Sequence, residues 1–178
     1  MSDIYQIKIE DILKIKKHNY FPNNSTDTNI MHNSIRDLMI QAMKNNSKEA
    51  LLVMRRDNIR DYTIYTSDMY NKIRVPNVVH ELGSQNKVKF IMIHNHPNNT
   101  VFSMTDIKTL ISYLYIDCIG VITNNCKYIA FAKVVNNPEY SRTEMMNYIN
   151  CKQKYMRDID IINELSKHGL QVGAFRNY

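Results

Sequence analysis

A mixed α/β fold is predicted, with a mixed central sheet flanked by helices and a helical extension at the C-terminus. Three observations predict it. Residues 88–93, apolar apart from Lys89, form a run of strand length, the pattern of a strand buried on both faces in mid-sheet. Two pairs of β-rich segments surround turn residues, 50–54 with 62–66 and 119–123 with 128–135. Between and after them, apolar residues recur at helical spacing.

Taken in order, residues 4–15 are periodic but short, and fit a strand or a helix. Residues 18–29 carry turn-forming residues throughout and predict a polar loop, a possible substrate edge. Ile35, Leu38, Met39, Ala42 and Met43 predict a helix that stops at Asn45-Asn46. The first hairpin turns at Asp57-Asn58. Pro76, Val78, Val79 and Leu82 predict a short helix with Pro in its first turn, closing at Gly83. After the 88–93 strand, Ile107, Leu110, Ile111 and Leu114 predict a helix, and Asn124-Asn125 turns the second hairpin. From Glu139 to about Gly169 one long or broken helix is expected, with Tyr148, Ile149, Met156, Ile159 and Ile162 docking on the sheet as core.

The chain has 178 residues, 44% hydrophobic and 22% charged, which suits a folded domain with no need of a disulfide staple. Cys118, Cys126 and Cys151 are odd in number and widely spaced, which excludes a C-x-x-C metal ribbon or redox motif and fits a reducing compartment. No apolar run approaches about 18 residues, so a membrane span is not expected. Residues 1–15 mix charged and apolar types, unlike a signal peptide, and a cytoplasmic location follows as the expectation. The net charge of +6 is modest and scattered, the usual mark of a solvated surface.

The chemistry concentrates in His94-Asn95-His96-Pro97 and Ser103-x-x-Asp106. In extended backbone, residues two apart point the same way, so His94 and His96 can share one metal ion. Asp106, at the start of the following helix, supplies a third ligand. Two imidazoles and a carboxylate leave a fourth tetrahedral position for water, the arrangement of catalytic zinc sites, where the pKa of that water falls to about 7. A His-x-His pair alone arises by chance in roughly 0.2 chains of this composition, but adding Ser and Asp at fixed positions lowers that to about 0.0007. Ser103-x-x-Asp106 before an apolar helix also reads as a helix N-cap, and a cap can fix a carboxylate toward a metal. Phe102 is expected to pack. The zinc deaminase and zincin signatures, Pro-Cys-x-x-Cys and His-Glu-x-x-His, are absent from the sequence.

His-x-His-Pro followed by Ser-x-x-Asp-Ile resembles the signature of the JAMM/MPN+ metalloproteases, and the His-Asn-His-Pro form is most similar to the JAB domains of the RadC-like group. The resemblance covers residues 47–135. Val75-Pro76-Asn77-Val78-Val79 and the following strand are similar to the RadC-like lead into the motif. One departure stands out: six residues separate His96 from Ser103, against the family's commoner seven.

The resemblance implies a cytidine-deaminase-like JAB/MPN fold and hydrolysis of peptide or isopeptide bonds with one zinc ion per chain. His94, His96 and Asp106 would be the zinc ligands. Glu49, 45 residues before His94 at the start of the first core strand, would be the general base, and Ser103 the donor to the oxyanion. Glu81 is the rival for the base, expected on the solvent side of its helix; Glu10, Glu139, Glu144 and Glu164 lie outside the core region. The expected organisation is an N-terminal helix and loop segment packed on the core (1–46), a catalytic core (47–137) and a helical extension (138–178).

A protein or peptide substrate, including a ubiquitin-like or tail-modified protein, is the implied partner. A second reading is a nucleic-acid-associated factor of DNA repair or mobile elements. It draws on the RadC-like form and on Lys14, Lys16, Lys17, Arg55, Arg56, Arg60, Lys87 and Lys89. A non-catalytic scaffold is a third, and the presence of every ligand type argues against it.

Overall fold

The apolar run at residues 88–93 becomes the middle of the sheet, as β3 (Phe90–His96), a strand in which every residue is buried. β1 (Ala50–Arg55) pairs antiparallel on one side of it and β4 (Ile116–Thr123) pairs parallel on the other. β2 (Tyr62–Thr66) extends the sheet past β1, while β5 (Tyr128–Val134) and β6 (Leu170–Arg176) extend it past β4. These positions come from a computed structural model that describes residues 4–70, 72–137 and 139–177. Met1, Pro138 and Tyr178, where the expected segments begin or end, lie outside the described residues. Among the described residues the strands make one six-stranded mixed sheet of order β2-β1-β3-β4-β5-β6.

Strand alternation sends successive side chains to opposite faces and so builds two cores. On one face Ala50, Leu52, Met54, Ile91 and Ile93 pack with α1 (Ile9–Leu13) and α2 (Ser25–Lys44). On the other, Leu51, Val53, Phe90 and Met92 pack with α3 (Asn77–Asn86), α4 (Met104–Ser112), α5 (Arg142–Lys152) and α6 (Asp158–Ser166). Phe102 joins this second core.

Four differences from the sequence expectations have identifiable causes. The expected loop at 18–29 ends early, because the Asn24 side chain accepts from the Asp27 N–H and starts α2 at Ser25; cap residues and turn residues are the same types. The C-terminal helix takes its broken form, between Lys152 and Asp158, and Ile159 does not dock as expected. The break resets the helical phase, so α6 turns Ile161, Ile162 and Leu165 inward and leaves Ile159 51% exposed. The C-terminal segment is also not wholly helical: residues after Gly169 return as β6, an edge strand whose exposed residues carry little apolar alternation. Finally, α3 runs through Gly83 to Asn86. A Cβ at Gly83 would collide with the Tyr115 ring, so this glycine serves close packing rather than helix termination.

Cys118, Cys126 and Cys151 are free thiols. Among the described residues no helix is long and apolar enough to cross a membrane. Several basic side chains are already engaged. Arg55 pairs with Asp57 at 2.7 Å and with Asp61 at 3.7 Å, Arg56 pairs with Asp117 at 3.1 Å, and the Lys89 ammonium meets the Leu114 carbonyl.

Replacing Gly83 with Ala sets a helix-propensity gain of about 1 kcal/mol against an overpacking cost of about 1–3 kcal/mol. The net cost centres on about 1 kcal/mol, so the expected outcome is a melting temperature lower by about 2–4 °C, since each kcal/mol moves a domain of this size by about that much. An unchanged or higher melting temperature in Gly83→Ala would show that Tyr115 yields without cost.

Candidate metal centre

The two histidines sit at the C-terminal end of β3, which runs three residues further than the apolar run alone predicts. Being two apart, they share the face occupied by Phe90 and Met92. Asp106 reaches the same point from the first turn of α4. Ser103 is the N-cap: its hydroxyl accepts from the Asp106 N–H at 3.3 Å, and its own N–H donates to Asp106 Oδ2 at 2.7 Å. The Ser103 hydroxyl also donates to Oδ2, at 2.7 Å. This capping box orients the carboxylate toward β3.

His94 Nε2 and His96 Nε2 lie 2.9 Å apart. Asp106 Oδ1 is 3.1 Å from the first and Oδ2 is 3.4 Å from the second. A tetrahedral ion with bonds of about 2.0–2.1 Å places neighbouring donors about 3.3 Å apart, and the separations here, to one or other carboxylate oxygen, lie close to that. Among the described residues these three form a group that can hold a metal ion.

Tautomer and charge point the same way. His96 Nδ1 lies 3.0 Å from the Thr100 carbonyl oxygen, which can only accept, so Nδ1 carries the proton and the neutral ring turns the lone pair of Nε2 into the site. Burial alone would raise the Asp106 carboxyl, but its hydrogen bonds to His94 and His96, with their charges, hold it well below the usual carboxylate range. Burial likewise pulls His96 down, and the Asp106 bond with the charges of Asp106 and Glu49 more than offsets it, a net rise. The site favours positive charge, which a metal ion or protons can supply.

Glu49 directly precedes β1 and is 7% exposed. In the antiparallel ladder Leu51 lies opposite His94, so Glu49, two residues before Leu51, shares the histidine face and the histidine end of the sheet. Desolvation raises its carboxyl, while the charges of His94 and His96 and a backbone hydrogen bond from Ile73 pull partly against it. Glu81 is exposed. A cavity of about 810 Å³ opens over the group, lined by Glu49, His94, His96, Ser103 and Asp106, with Ile73 and Val75 on one wall. The structure thus gathers all five residues singled out from sequence. Residues 20–22 instead line a separate cavity of about 530 Å³ that also includes Phe131 and Phe175.

Asn95, which sequence reading passed over as the residue between two ligands, is fully buried and hydrogen-bonded on the opposite face. A carboxamide that bonds distant backbone leaves no periodic signal in sequence.

Comparison with protein-family models, curated proteins and solved structures gives no match. The site's own geometry is what bears on its chemistry.

A divalent transition-metal ion at about 100 times its Kd is expected to add about 2.7 kcal/mol of stability, a rise of about 5–10 °C, in the native chain. His96→Ala should abolish the rise; a rise that survives places the ion elsewhere. Ser103→Ala should cost about 1 kcal/mol of stability through the lost cap and weaken metal binding by releasing the Asp106 carboxylate. Unchanged metal affinity in that variant would show that Asp106 is oriented without the cap.

Proposed function

We propose that the chain is a zinc-dependent hydrolase of peptide or isopeptide bonds built on a JAB/MPN-type frame. The observation that carries the proposal is the convergence of a buried glutamate, Glu49, with the His94, His96 and Asp106 group on one face of the sheet, beneath one cavity. His94, His96 and Asp106 would hold the ion. Zinc supplies Lewis acidity there, bringing the pKa of water from about 15.7 to about 7.

Glu49 takes a proton from the attacking water as its oxygen adds to the carbonyl carbon. It then gives that proton to the amine nitrogen as the C–N bond breaks. A carboxyl raised by burial suits this double duty, because it must hold the proton between the two events. Ser103 lines the cavity with its hydroxyl on Asp106, so donating to the oxyanion requires that hydroxyl to turn from the carboxylate. In the resting site it is a positioning residue for Asp106.

The substrate class is an extended peptide or isopeptide chain. The residue 72–75 segment lines the cavity beside Glu49. A ubiquitin-like or tail-modified protein is the partner class implied by the resemblance, and three free thiols fit a cytoplasmic setting.

The zinc-loaded protein, incubated with a library of linear peptides and ε-lysyl isopeptides, is expected to cleave a subset, read by mass spectrometry. Glu49→Gln should keep one zinc per chain and lose about 10²–10⁴-fold in kcat. Cleavage undiminished in Glu49→Gln, or the absence of zinc-dependent cleavage across the library, would contradict the proposal.

A further inference from the structure

Glu49 follows an irregular stretch of backbone. Asn46 and Ser47 both have positive φ, 55° and 61°, a left-handed conformation that non-glycine residues seldom adopt. The described β1–β3 ladder runs from Arg55 opposite Phe90 to Leu51 opposite His94. Beyond it a side chain takes over. Asn95 Oδ1 accepts from the Ala50 N–H at 2.7 Å, and Asn95 Nδ2 donates to the Lys48 carbonyl at 3.1 Å. These two peptide groups flank Glu49, one on each side.

The carboxamide is itself held. Asn95 Nδ2 donates to Asn124 Oδ1 at 2.7 Å, and Asn124 Nδ2 donates to the carbonyls of Ser47 and Tyr5, each at 3.0 Å. The Asn124 N–H donates to the His96 carbonyl at 3.1 Å. Both asparagines are fully buried. The orientation of each amide follows from its partners, because a backbone N–H can only donate and a carbonyl can only accept. Aspartate at position 95 would turn an oxygen toward the Lys48 carbonyl and toward Asn124 Oδ1, and alanine would leave the Ala50 N–H and Lys48 carbonyl without these bonds.

We propose that Asn95 is the positioning residue for Glu49: its carboxamide clamps the peptide groups before and after the glutamate, and Asn124 locks that clamp to the end of the histidine strand. Asn95 projects from the face opposite His94 and His96, so it touches neither the ion nor the substrate. It fixes the distance between base and ligands through backbone alone. The inference rests on the hydrolase reading for its catalytic meaning, while the clamp itself is tested separately.

Hydrogen exchange, zinc titration and turnover on a peptide cleaved in the library screen test it together. In the native chain the Ala50 amide and the Asn95 carboxamide protons should exchange at least about a hundredfold more slowly than exposed amides. Asn95→Ala should release the Ala50 amide, keep the Kd for Zn²⁺ within about threefold, and lower kcat about tenfold or more with KM within about twofold. Asn95→Asp should fail to restore kcat. A variant that is merely less stable would show reduced active fraction with the native kcat per zinc-loaded molecule, and that result would overturn the proposal. So would a protected Ala50 amide in folded Asn95→Ala, or zinc affinity lost in step with kcat. If Asn95→Ala does not fold, fast exchange of the native Asn95 carboxamide would overturn it, and Asn124→Ala, which leaves the two bonds beside Glu49, should give a smaller loss of kcat than Glu49→Gln. If the native chain holds zinc but cleaves nothing, the hydrolase reading fails while exchange at Ala50 still decides the clamp.

Discussion

The pairing of β1 with β3 is the constraint on which the rest of the site depends. With Leu51 opposite His94, the face that carries Leu51 and Val53 also carries Glu49, and the face that carries Phe90 and Met92 also carries His94 and His96. Strand side chains alternate with period two, so a slip of one residue in either strand would send the glutamate or both histidines into the core beneath α2. The buried apolar residues prevent that slip. Ala50, Leu52 and Met54 on one side, with Leu51 and Val53 on the other, fit their own cores and would have to exchange them. Site geometry is thereby secured by the burial of the apolar residues that adjoin Glu49 and His94 along their strands.

Asp106 is secured differently, by fastening the helix that carries it. Beyond the Ser103 cap, the Met104 N–H in the first turn of α4 donates to the Asp158 carboxylate of α6 at 3.2 Å. At the other end of α4 the Arg142 guanidinium of α5 donates to the carbonyls of Leu110 and Ile111. Each contact satisfies backbone groups that a helix end leaves open, with a charge of the sign that the helix dipole favours. The C-terminal helices therefore act on the site at second hand. They hold α4 at both ends, and α4 holds the carboxylate.

The parts legible in sequence were those set by local pattern. The 88–93 run declared a central strand, and the His-x-His pair followed by Ser-x-x-Asp gave three donors whose convergence the two-residue period and the cap geometry both favour. Glu49 was identifiable through a resemblance, since nothing local to it says which strand it will face. The buried hydrogen bonds of Asn95 and Asn124 were not legible, although Asn124 was read as a turn residue: beyond each other, their partners are backbone groups up to 119 positions away, and backbone groups have no sequence. Gly83 misled because a glycine near a helix end usually terminates it, whereas here a Tyr115 ring 32 residues on demands the space. β6 escaped because an edge strand with exposed, weakly alternating side chains is shaped by its neighbour more than by its own residues.

The proposed hydrolase requires that β3 and α4 together hold zinc through two imidazoles and one carboxylate. X-ray absorption at the zinc edge of the metal-loaded chain tests it most directly. The account predicts nitrogen and oxygen donors at about 2.0–2.1 Å with the outer-shell scattering of two imidazoles, and no sulfur. A sulfur shell at about 2.3 Å, or fewer than two imidazoles, would place the ion on other residues and contradict the site described.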